Sequence, residues 1–534
     1  MKKYIKYLYI SVGLTVATAL HSCSSDYLDT VPTQNVSTAT ALSTTENAAA
    51  VINGIAAVMT SQQYAFSQGY AGENRIKMIY GEYPGADFRY NALATGWYPI
   101  MNQLYYTETN TAYTQYPWYY YYTIIVNSNA IIDNIDAAAG TDEDKAFIKA
   151  QALTFRAYGY TQLLQLYSVR WQDSGNGDSL GVVLRLDEST TAMPRATMKE
   201  CYAQIYTDLD NAVALYTSSG KDRASGSVWL PNINVAYATY ARAALNRKDY
   251  STALANAKLA RSGYNLMSNN DYLAGFAKPT SEWIFGSYGD ATENQWYWSF
   301  GTQFAANGYY ANNTSYGAGA IASELIDSIP NDDVRKSLFI SKEKFPAFDF
   351  TSATYVNQTS AILRGALADS ALAYANKMTP SGLEAPYQSG VIFNGSHLKF
   401  WVFDTPGVSY LCHIRSSEMV LIEAEANYFL GNTTAAQASL VELNATSGRN
   451  ADYTCNLTGD ALWKEIKRYR GLELFGEGFS WFDYKRWGED ITRVSIANGG
   501  NSHAVTAITI TATGSTWTWS IPLLETLYNN LIVQ

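Results

Sequence analysis

The segment NINVAYATYARAALNRKDYSTALANAKLARSGYNL, residues 232–266, reads as two short helices joined by a tight turn. Ala236, Tyr240 and Ala244 recur every fourth residue in its first half, and Ala253, Ala257 and Ala260 line one face of its second half. Lys248-Asp249-Tyr250 supplies the turn, and Tyr264-Asn265-Leu266 closes the unit. Such spacing puts one apolar stripe on each helix. The small residues let the two backbones approach closely, and a length of roughly 34 residues is that of a tetratricopeptide helical pair.

The same period extends outward. In Asp142–Tyr167 the residues Ile148, Ala152, Phe155, Gly159 and Leu163 form one continuous face. Helices are also predicted over 46–66, 115–139, 197–216 and 459–475. A second pair is predicted over 410–444, with Ile414, Leu421, Ala424 and Tyr428 on its stripe and Gly431-Asn432 as its turn. Between these lie 67–114, 267–320 and 341–409, rich in Gly, Asn, Thr and aromatic residues and without a clear helical period. Within the last, 391–393 and 398–403 have short-strand composition. The expected fold is all-α: a tetratricopeptide-like helical-repeat scaffold, a single domain over 46–534, carrying large irregular loop insertions. Long irregular segments on a rigid scaffold are where binding residues concentrate.

The N-terminus is of another kind. Lys2, Lys3 and Lys6 precede an apolar run from Tyr7 to Leu20, too short to span a bilayer as a mature helix and right for a signal-peptide core. The run ends in Leu20-His21-Ser22-Cys23, the lipobox pattern with an unusual His in its middle. Residues 1–22 are therefore expected to be a lipoprotein signal, Cys23 the lipidated N-terminus, and 23–45 a Ser/Thr-rich tether. Each buried methylene of an acyl chain contributes about 0.8 kcal/mol, so several chains hold firmly. Cleavage removes three lysines and takes the formal charge from −10 to −13. That acidic balance, with no Lys/Arg cluster, excludes a nucleic-acid partner.

Cys201, Cys412 and Cys455 are odd in number and lack metal-ligand spacing; they form either one bridge with a thiol left over or three buried thiols. Neither a metal nor another cofactor is expected: Asn331-Asp332-Asp333 lacks the alternating ligands of a calcium loop. No nucleophile elbow, zinc-protease helix or P-loop occurs, and His397, His413 and His503 have no histidine partner at ligand spacing. Glu473, Glu477 and Asp483 resemble a glycosidase set, but pairing with Arg470 or Arg486 is the simpler expectation. No enzyme activity and no catalytic residue are expected.

Five features in order give the chain a resemblance to the SusD/RagB family of outer-membrane nutrient-binding lipoproteins. They are Cys23 followed by Ser24-Ser25-Asp26-Tyr27-Leu28-Asp29-Thr30-Val31-Pro32; the helix Ala150-Gln151-Ala152-Leu153-Thr154-Phe155-Arg156-Ala157-Tyr158; and Ile414-Arg415 running into Glu418, Leu421 and Ala424-Glu425-Ala426. The most specific is Arg470-Gly471-Leu472-Glu473-Leu474-Phe475-Gly476-Glu477-Gly478, continuing to Asp483 and Arg486-Trp487-Gly488. The last is Ile521-Pro522-Leu523-Leu524-Glu525, where Asn529-Asn530 stands in place of the family's usual Asn-Pro. The resemblance implies a non-catalytic surface lipoprotein on the outer membrane, partnered with a SusC-like TonB-dependent transporter. Its ligand would be a glycan or, as in the RagB branch, a peptide; a purely structural lid is the remaining alternative.

A glycan site needs aromatic planes for sugar faces and polar groups for hydroxyls. The chain's 43 tyrosines and 13 tryptophans make such a surface available, although most tyrosines fill helix interfaces. The run Tyr116-Pro117-Trp118-Tyr119-Tyr120-Tyr121-Tyr122 is read as interface core. Two loop segments have the required composition: Asp87-Phe88-Arg89-Tyr90-Asn91 with Trp97-Tyr98 and Asn102, and Asn294-Gln295-Trp296-Tyr297-Trp298 with Tyr309-Tyr310. Trp97 and Trp296 are the expected stacking platforms and Arg89 and Asn91 the hydroxyl partners, with Tyr98, Trp298 and Tyr309 beside them.

Overall fold

The helices begin where side chains can satisfy their first amides. In the computed structural model, Thr44, Thr111, Thr141, Thr197, Asn232 and Asp249 each accept a backbone N–H of the first turn. They start α1 (Thr45–Val58), α2 (Ala112–Asn134), α3 (Asp142–Tyr167), α4 (Met198–Ser219), α5 (Ile233–Asn246) and α6 (Tyr250–Ala260). The structure describes residues 38–533 apart from 64, 67–68, 91–96, 290–298, 310–318, 386–391, 405–406 and 515–516. Cys23 and the tether to residue 37 thus lie outside the described residues.

Helix α3 begins at Asp142, where Asp142, Glu143 and Asp144 complement the dipole of its first turn. It packs on α2 and α4. Gly159 sits at the first crossing, where a Cβ would come within 3.0 Å of Ile125. The α5–α6 pair forms as predicted: Ala236, Ala244, Ala253, Ala257 and Ala260 are all fully buried. Most buried apolar side chains join one contiguous core that runs from Leu42 to Ile521.

Tyrosine hydroxyls repair a break in α2. Pro117 has no N–H, which leaves the Tyr113 carbonyl without its usual donor. The Tyr80 hydroxyl donates to that carbonyl at 2.5 Å. One residue on, the Tyr167 hydroxyl accepts the Trp118 N–H at 3.1 Å and donates to the Thr114 carbonyl at 2.6 Å. Tyr116, Trp118, Tyr120 and Tyr121 are buried as expected; only Tyr119 of this group reaches a 43% exposed position.

Three expectations are corrected. The insertion 341–409 is not wholly irregular: α7 (Gly365–Lys377) buries Leu367, Ala371 and Ala375 at four-residue spacing. Strands there are Val356–Asn357 and Ser360–Leu363; Phe393 makes a single bridge to Ile362, and 398–403 forms no strand. Ile414 belongs to a strand, Leu411–Arg415, rather than to a helical stripe. Pairing with Trp283–Ser287 extends this backbone, so the helix α8 (Ser416–Phe429) begins only at Ser416. Segment 67–114 also contains a buried helical turn, Gly72–Arg75, which widens into π-helical Ile76–Glu82.

The chain continues through α9 (Thr433–Val441), α10 (Gly459–Glu473) and α11 (Ser480–Trp487). Among the described residues no helix is long and apolar enough to cross a membrane. The architecture is all-α with a few short two-stranded ladders, one of which, Trp283–Ser287 with Leu411–Arg415, ties an insertion to the second helical pair.

Candidate functional site

The two aromatic insertions meet. Strand β1 (Phe88–Tyr90) pairs antiparallel with β2 (Gly319–Ile321), with Phe88 opposite Ile321, Arg89 opposite Ala320 and Tyr90 opposite Gly319. This register joins residues 88–90 of the first insertion to residues 319–321 at the end of the second. A Cβ on Gly319 would fall 2.1 Å from the Phe88 ring, so the close approach requires glycine there. Tyr98 of the first insertion and Tyr309 of the second are 37% and 45% exposed.

Not every predicted site residue faces solvent. Arg89 is buried: its guanidinium donates to the carbonyls of Ala86 at 2.6 Å and Phe88 at 3.0 Å, and pairs with Glu324 at 3.1 Å. Trp97 is also buried, edge-on to Tyr83 and 5.1 Å from the Arg75 guanidinium. Both are therefore buried in this structure rather than at the exposed positions expected of ligand contacts. Composition could not separate them from their neighbours, because all three residues of β1 are inward. Asn91, Trp296 and Trp298 lie outside the described residues.

The carboxylates of the Arg470–Gly488 signature make a closed ionic centre. Arg415 lies 2.8 Å from Glu282, 2.8 Å from Glu473 and 2.7 Å from Glu477. Arg335 joins Glu473 at 2.9 Å and Asp333 at 2.6 Å, while the Lys399 ammonium meets Glu477 at 2.8 Å. Burial alone would push Glu473 and Glu477 up, but Arg415 and the neighbouring cations hold both well below the carboxylate range. Glu473 and Glu477 do not pair with Arg470 or Arg486 as expected: these two arginines bind Asp483, at 2.6 and 2.9 Å, and Arg486 also pairs with Glu425. A carboxylate this buried and this neutralised has neither a proton to give nor a face toward a substrate.

The histidines are equally closed. Burial takes His397 down to about 3, and His413 is buried with its Nε2 2.7 Å from the Ser287 hydroxyl. Cys201, Cys412 and Cys455 are buried free thiols, which settles the open alternative against a bridge. Among the described residues no group of His, Cys, Asp or Glu could hold a metal ion.

Sequence reasoning passed over one surface. A groove of about 960 Å³ lies between the outer side of α2, residues 183–192 and the C-terminal helix Leu523–Tyr528. Trp118, Tyr119, Tyr122 and the 86% exposed Tyr528 line it, together with Arg185 and Glu188. The outward turn of Tyr119 was legible only as a phase within the tyrosine run.

Comparison with known proteins places this geometry. A family model described as "Starch-binding associating with outer membrane" matches residues 26–245, and one described as "SusD family" matches residues 408–521; together they span more than half of the chain. A search of the curated proteins finds no match. Among solved structures, a SusD-like carbohydrate binding protein from Bacteroides vulgatus is 21% identical with a TM-score of 0.72, covering 92% of this chain and 97% of that one. A SusD superfamily protein from Bacteroides thetaiotaomicron is 20% identical with a TM-score of 0.67, over 92% and 99% of the two chains. One from Bacteroides fragilis is 19% identical with a TM-score of 0.66, over the same shares.

Proposed function

We propose that this chain, which belongs to the SusD/RagB family, captures a glycan at the outer cell surface and delivers it to a SusC-like TonB-dependent transporter. Cys23 would carry the lipid that anchors it to the outer membrane, with the described residues as the displayed body. The observation that supports the reading is the Tyr90–Gly319 register, which joins residues 88–90 of one aromatic insertion to residues 319–321 at the end of the other. Aromatic and polar residues on loops match the chemistry of sugar rings, whose apolar faces stack and whose hydroxyls need polar partners. Nothing in the ionic centre offers catalysis, which supports a binding protein over an enzyme.

Asn91, Trp296 and Trp298 remain proposed ligand contacts, alongside Tyr98 and Tyr309. Peptide capture is the second reading. The loop face weakens it: the charge expected there, Arg89, is buried and paired with Glu324, leaving no open guanidinium for a peptide carboxylate at that position. Calorimetry of Tyr98→Ala and Tyr309→Ala against the cognate polysaccharide should show each variant losing about 1 kcal/mol or more. Wild-type affinity in both would remove this face as the site.

A further inference from the structure

After α11 the chain folds back on itself. Ile491–Thr492 pairs antiparallel with Thr509–Ile510. Inside that pair the Arg493 N–H donates to the Ile508 carbonyl at 3.1 Å, and the Ser502 N–H to the Val494 carbonyl at 3.0 Å. The segment 491–505 therefore holds its own shape. Two of its side chains, Arg493 and Asn501, are 2% and 3% exposed and reach outward into the insertions.

Arg493 closes the first insertion at its neck. Its Nη2 donates to the carbonyls of Pro84 at 2.7 Å and Met101 at 2.9 Å, and its Nε to that of Gly85 at 3.3 Å. One guanidinium thus joins the two ends of the stretch that carries β1 and Tyr98. Asn501 does the same at the exit of the second insertion. Its Nδ2 donates to the carbonyls of Ile321 at 2.9 Å and Asn394 at 2.7 Å, and its Oδ1 accepts the Ser323 N–H at 3.0 Å. A Cβ on Gly395 would fall 2.6 Å from that Nδ2, so glycine keeps the place of the amide open. The backbone adds two more ties: the Val505 carbonyl accepts the Asn102 amide at 3.1 Å, and the Ala504 N–H donates to the Thr359 carbonyl at 2.9 Å. Residues of all three insertions, or at their ends, are bonded to one short segment.

Stability alone does not account for Arg493. Among the described residues no carboxylate pairs with it, and burial, with Arg89 nearby, pushes it down to about 9. A buried cation without a counterion is destabilising unless its hydrogen bonds offset the loss of water, and an apolar side chain would pack there at less cost. No apolar side chain, however, could join three carbonyls from two turns. A planar fork of five N–H donors can.

We propose that 491–505 is a strap that sets the position of the insertions relative to one another, with Arg493 and Asn501 as positioning residues for the loop face. Its bearing on ligand rests on the capture reading; the strap itself does not.

Hydrogen exchange of the full chain, read by mass spectrometry, tests the strap without any ligand. Arg493→Met should speed exchange of the amides at 85–90 and 100–103 by about tenfold or more, because hydrogen bonds from a charged donor are lost. Arg493→Lys, which keeps the charge but cannot span three carbonyls, should show the same change to a smaller degree, and serves alone if the methionine variant does not fold. Asn501→Ala should speed exchange over 319–325. Helices α3, α5 and α6 should exchange as in the wild type. Unchanged exchange at the insertions, or acceleration spread equally over those helices, would overturn the proposal. Calorimetry with soluble starch, xylan and arabinogalactan adds a readout that a purely structural role would not move. Arg493→Lys should lose affinity for whichever of them the wild type binds, through entropy and with the binding enthalpy kept, as expected when loops must be ordered on binding. Unchanged affinity in a variant whose insertions exchange faster would overturn the positioning role. Fast exchange in the variants with no wild-type binding to any of the three would count against the capture reading and not against the strap.

Discussion

Arg415 is held by three carboxylates, Glu282, Glu473 and Glu477, each within 2.8 Å, with no solvent to replace it. Removing one member of such a network leaves the others buried and unpaired, so Arg415→Met should cost about 3–5 kcal/mol in urea denaturation. The pH dependence has a fixed sign. Glu473 and Glu477 have folded-state values depressed by Arg415 and its neighbours, so the folded state binds fewer protons than the unfolded one. Their contribution is present above the unfolded carboxylate range, and thermal stability should fall progressively below about pH 4. Tyr80→Phe is a finer probe: it strips the donor from the carbonyl that Pro117 leaves open and should cost about 1–3 kcal/mol. At this scale the sequence misled where one side chain could take either of two partners. Arg470 and Arg486 were near enough in sequence to Glu473 and Glu477 to be assigned to them. The actual partners, Arg335, Lys399 and Arg415, come from distant segments that only the fold brings together.

Among the elements, helices with their own caps and stripes were legible, and elements fixed by distant partners were not. Asp142–Tyr167 and the α5–α6 pair carry their start signals, periods and turns locally. Leu411–Arg415 has a residue, Ile414, in phase with the next helix, yet the pairing with Trp283–Ser287 decides its conformation. Helix α7 has a Leu367, Ala371, Ala375 stripe that the surrounding loop-like composition hid. The candidate site was legible as two aromatic insertions but not in its facing. Burial of Arg89 and Trp97 follows from strand pairing and from the packing of Tyr83 and Arg75, which no local pattern encodes. A prediction belongs to the α2–α3 crossing. Gly159→Leu must displace Ile125 and should destabilise by about 1–3 kcal/mol, with a matching drop in thermal midpoint. An unchanged midpoint would show that the two helices can part without cost.

For the whole molecule, the proposed division of labour is between a scaffold closed around its charges and a loop face that takes the ligand. The proposed anchor would set where that face works: Cys23→Ala should move the protein from the membrane to the soluble fraction without changing glycan affinity, because the described core is assembled by residues from Leu42 onward. Binding at the loop face should depend little on salt, since ring stacking and hydroxyl contacts are not screened as ion pairs are. The central claim, capture of a glycan, is tested most directly by calorimetric titration of the full chain against a panel of polysaccharides and a mixed oligopeptide pool. The account predicts saturable heat with at least one polysaccharide and none with the peptides. Saturable heat with peptides and none with any glycan would contradict it.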